Sequence, residues 1–200
     1  MKITDYAILF LAVVGVFLGM GVMKDRVSFQ NCVFEDELNR TMDNVAISAL
    51  MQGYTGDLHP DRSTCIPILD EKKIADVFVS EMAFALYGTD NAKSRQRVWM
   101  HISVMVVVKA DRYILCTEQQ TEEWVTFSSV LHEKKVREIE EIIEKHLNNR
   151  NNRISFPAGY SEHYSQTLSD YSLLVVYETE KYSIGGDRIH SCILSGASIK

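Results

Sequence analysis

The residue types that most often carry chemistry are thinly spread along this chain. Its six His and four Cys fall into no recognisable pattern. Cys32, Cys65, Cys116 and Cys192 contain no C-x-x-C spacing, which points to neither a zinc tetrad nor a redox dithiol. Whether these thiols are bridged or free, and in which of three pairings, stays open. A nucleophile elbow, a phosphate-binding loop, a dinucleotide fingerprint and a zinc-protease His pair are all missing. Asp57, His59 and Asp61 lie close together but flank Pro60, where these residue types serve a turn. His101 sits in an apolar run and reads as structural; His132 and His146 lie on a polar helix and read as solvated or capping.

Gly185-Gly186-Asp187-Arg188 is similar to the Gly-Gly-Asp start of the cyclic-dinucleotide synthase signature, in which a hairpin glycine pair approaches phosphate. That signature continues with an acidic residue and an aromatic. Arg188 and Ile189 stand there instead, and the tetrapeptide reads as a hairpin turn. Asp170, Asp187 and Glu178 are carboxylates that a fold could bring together, but so are many others in so acidic a chain. The expectation is a protein with no catalytic, cofactor-binding or metal-binding residues, and not an enzyme.

Charge narrows the partners. The chain is −6 over its 200 residues; residues 1–26 hold three basic and two acidic side chains, leaving −7 on residues 27–200. No basic run exceeds two residues, and such a surface excludes nucleic acid as its main partner.

The elements that would position any site begin with eighteen uncharged residues, Tyr6 to Met23. As a helix they span about 27 Å, close to the hydrocarbon thickness of a bilayer. Ten are Ile, Leu, Phe or Val, which together favour insertion by about 3 to 6 kcal/mol. The run ends in Met23-Lys24-Asp25-Arg26 without a small-x-small cleavage site, as an uncleaved signal-anchor does. Gly15 and Gly19 have the spacing that lets two membrane helices approach closely.

No Pro or Gly interrupts residues 22–52, so the helix is expected to continue as a stalk over 27–52. Phe34, Leu38, Met42, Val45 and Ala49 make one apolar stripe along it. That stripe packs either on the chain's own domain or, through Phe34, Leu38, Met42 and Val45, on a partner.

Residues 53–69 read as a loop, followed by a helix over Glu71–Tyr87 capped by Asp70 and stopped by Gly88. Its core-facing stripe is Ile74, Val77, Phe78, Met82 and Ala85. Val98 to Val108 predicts a strand, Lys109 to Arg112 a turn, and Tyr113 to Thr117 the returning strand. Trp124 to Phe127 is a third strand. Leu131 to Asn148 is an amphipathic helix with Val136, Ile139, Ile143 and Leu147 on one face. Ile154 to Phe156 predicts a short strand before a tyrosine-rich segment holding Tyr160, His163, Tyr164 and Tyr171. Ser172 to Glu178 and Ile189 to Ile199 are the last strands.

The layout predicts an α+β chain: a transmembrane helix continuing into a stalk helix, then an antiparallel sheet packed with two helices. Residues 1–26 form the anchor, 27–52 the stalk and 53–200 an extracytoplasmic domain. This arrangement, with the Asp5-Tyr6-Ala7-Ile8-Leu9-Phe10 anchor, the hairpin VVVKADRYILCTEQ and the final HSCILSGASIK, resembles single-pass proteins of Gram-positive bacteria associated with Tad-type (type IV-like) pilus or secretion loci. The resemblance implies a membrane-anchored component of a cell-envelope machine, with lipid around residues 6–23 and other envelope proteins, or further copies, as partners. No Gly before a Phe-Thr-Leu-Ile-Glu-like run marks a prepilin-peptidase site, so the component is read as non-polymerising. The rival expectation is an extracytoplasmic ligand-sensing module that signals through a partner.

Overall fold

A computed structural model describes residues 3–55, 68–116, 124–149, 168–169, 171–182 and 188–199. One helix, α1, runs unbroken from Ile3 to Gly53, about 77 Å. The apolar run and the amphipathic stretch after it are thus one rod, as the lack of helix breakers predicts. Side chains before Phe10 lie outside the described residues, so only part of the Tyr6–Met23 run is seen in contact detail. Among the described residues no helix is long and apolar enough to cross a membrane.

Gly53, the last residue of α1, lies so close to α2 that nothing larger fits there. A Cβ at this position would lie 2.1 Å from Cγ1 of Ile74, a fully buried side chain. The chain then forms a two-residue pair, β1 (Tyr54–Thr55) with β2 (Ile68–Leu69). The rest of the expected loop, with Asp57, His59 and Asp61, lies outside the described residues.

Helix α2 (Glu71–Tyr87) starts and stops where its capping residues place it. The Asp70 carboxylate accepts from the Lys73 amide at 3.1 Å, and Gly88 takes φ 68° while its amide donates to Phe84. Ile74, Phe78 and Met82 are buried and Val77 partly so, but Ala85 faces solvent.

A further helix, α3 (Ala92–His101), corrects the expected strand over Val98–Val108. Asn91 and Ser94 form a reciprocal capping box, each side chain bonded to the other's amide. That start carries the helix through Val98, which it buries completely, and the strand begins only at Ile102. One β-branched residue does not outweigh a sound helix cap and a core position. The sheet is therefore packed with more than the two expected helices.

Strand β3 (Ile102–Val108) turns through Lys109–Asp111 into β4 (Arg112–Leu115), and β5 (Val125–Thr126) adds an edge. Helix α4 (His132–Asn149) precedes β6 (Ser172–Tyr182) and β7 (Arg188–Ser198), which pair over all eleven residues. The order is β5-β4-β3-β6-β7, antiparallel throughout. Ile154–Phe156, the tyrosine-rich segment up to Tyr164 and residues 183–187, which hold Gly185, Gly186 and Asp187, lie outside the described residues.

The molecule is an α/β/α sandwich. Met105, Val107, Leu173, Val175, Tyr177, Ile193 and Ala197 face α1 and α2. Val104, Val106, Val108, Leu174, Val176 and Leu194 face Val136, Ile139 and Ile143 of α4. Both faces being covered explains why β3 is apolar without alternation although its neighbours run antiparallel. The start of α4 is tied to the β3–β4 turn by Lys135, whose ammonium donates to the Ala110 carbonyl at 2.5 Å and lies over the Phe127 ring.

Candidate functional site

The four residues expected to meet a partner divide. Leu38, Met42 and Val45 are 3%, 0% and 7% exposed, packed in the core with Ala46, Ala49 and Leu50. The stripe is spent inside the molecule, since the nearest apolar surface is the chain's own sheet and α2. Full burial of such side chains contributes about 1.5 to 3 kcal/mol each, which holds the stalk to the domain. Ser195, fully buried on β7, adds a hydrogen bond to the Asp43 carboxylate at 2.7 Å. Ser48 and Gln52 both donate to the Glu81 carboxylate of α2 at 2.8 Å. Only Phe34, half exposed, remains at the surface. Gly15 and Gly19 are open: a Cβ at either would meet nothing within 4 Å.

A cluster of polar and ionisable side chains lies where α3 passes into β3. His101 closes α3, stacks on Tyr177 with centroids 5.5 Å apart, and holds Nδ1 3.1 Å from the Glu178 carbonyl oxygen. The β3–β6 register breaks between Ile102 and Val104, and the Ser103 hydroxyl at that break donates to the Glu178 carboxylate. Glu178 stands opposite Cys192 of β7. Ser, His and a carboxylate thus share one corner, yet not in the order nucleophilic catalysis needs. The hydroxyl donates to the carboxylate rather than to the imidazole, and His101 is engaged by a backbone carbonyl. What the arrangement does is fasten the last turn of α3 to β6. Sequence reading missed it because its members lie 75 to 77 residues apart and only the fold joins them.

The two buried thiols, Cys116 and Cys192, are unsuited to chemistry at neutral pH. Burial, with Glu71 nearby, pushes Cys116 up to about 12; burial, with Glu178 nearby, does the same to Cys192. Tyr177 is likewise raised, first by burial and then by Tyr87. Cys32, Cys116 and Cys192 are not joined in disulfides, and the last two belong to opposite faces of the sheet. Cys65 and the side chain of His146 lie outside the described residues; His132 opens α4 at the surface.

At the outer corner of α2 and α3, Arg95 bridges Asp76 at 2.6 Å and Asp90 at 2.8 Å. Arg95 and the Ser80 hydroxyl hold the exposed Asp90 carboxyl down at about 2. No group of three or more His, Cys, Asp or Glu able to hold a metal ion occurs among the described residues.

A scan against protein-family models, a search of the curated proteins and a search of the solved structures each found no match.

Proposed function

We propose that this chain is a membrane-tethered, extracytoplasmic assembly or scaffolding component of a cell-envelope machine. One observation carries the reading. Along α1, Phe10, Leu11, Val16, Phe17, Leu18, Val22 and Met23 are each at least 60% exposed, apolar on every side of the helix. A helix greasy all round with nothing packed on it belongs in lipid. The sequence supplies the rest of the span, Tyr6 to Leu9, to complete eighteen uncharged residues.

The same helix is built into the domain's core further on, so the domain is carried on the anchor itself and not on a flexible tether. Such a rod fixes height and orientation above a membrane, as an assembly component needs. Both sheet faces are filled with buried side chains, which favours assembly over the sensing alternative, since a sensor needs a cavity with converging polar groups.

The test is fractionation of the native protein followed by crosslinking in intact membranes. Retention in carbonate-washed membranes with the Tyr6–Met23 segment present, and recovery of other envelope proteins in crosslinked complexes, support the proposal. A mature chain beginning near Lys24, release by carbonate, or recovery of the protein alone overturns it.

A further inference from the structure

We draw no further inference here: the strongest candidate, the surface patch of exposed apolar residues Val125, Val130 and Leu131 at edge strand β5 and the start of α4, carries nothing because nothing in the structure shows what covers it.

Discussion

The two halves of α1 share one backbone and almost nothing else. From Phe10 to Met23 the helix is apolar on all sides and packs on none of the other described elements; from Leu38 to Leu50 it is apolar on one side and fully used. On the proposed reading, burial of the first half comes from lipid, whereas burial of the second is supplied by β6, β7 and α2. Hydrophobic content alone therefore does not say which half holds the domain together. The distribution around the axis does.

That contrast breaks most sharply under truncation of one large side chain in each half. Met42→Ala should destabilise the domain by about 2 to 5 kcal/mol, because a fully buried side chain leaves a cavity between α1 and the sheet. Phe17→Ala should leave domain unfolding within about 0.5 kcal/mol. Chemical denaturation of the full chain in detergent compares them, and equal losses would refute the division.

Gly53→Ala probes where the packed half ends. The added methyl collides with buried Ile74, and a loss of about 1 to 3 kcal/mol is expected by the same measurement. An unchanged midpoint would mean that α1 and α2 are not locked at this point.

Thiol labelling separates stalk from core without altering stability. In a Cys65→Ser background, Cys32 should react with a maleimide well before Cys116 and Cys192, whose thiols are buried and held protonated up to about 12. Mass spectrometry of a time course reads the order. Equal rates at all three would contradict the packing of both sheet faces.

The smallest effect is at the α2–α3 corner. Asp90 is held below its ordinary 3.8, at about 2, so its pairing with Arg95 is complete above about pH 3.8 and lost as pH falls through about 2. Acid titration should loosen that corner in this window, followed by amide exchange at Ala92–Arg95, and Asp90→Asn should remove the dependence.

Much of the architecture was legible because its signals are local. Asp70 and Gly88 bracket α2 as read, the turn at Lys109–Arg112 joins β3 to β4, and Val136, Ile139 and Ile143 face the core from α4. The helix over Ala92–His101 was also written locally, in Asn91 and Ser94, but the β-branched run that follows it drew the strand too far back. The corner of His101, Ser103 and Glu178 carried no local signal, since it depends on a register break and on pairing across the sheet.

By itself the sequence determined an unbroken helix with an all-apolar half, the capped helices, the hairpin strands and an acidic surface. Each follows from neighbours within a few residues, through periodicity, caps and the absence of breakers. Tertiary structure alone decided that Leu38, Met42 and Val45 turn inward and that the sheet is covered on both faces. It also decided which side of α1 is left open. Those outcomes depend on which apolar surface lies nearest in space, and contacts between residues far apart in the chain settle that.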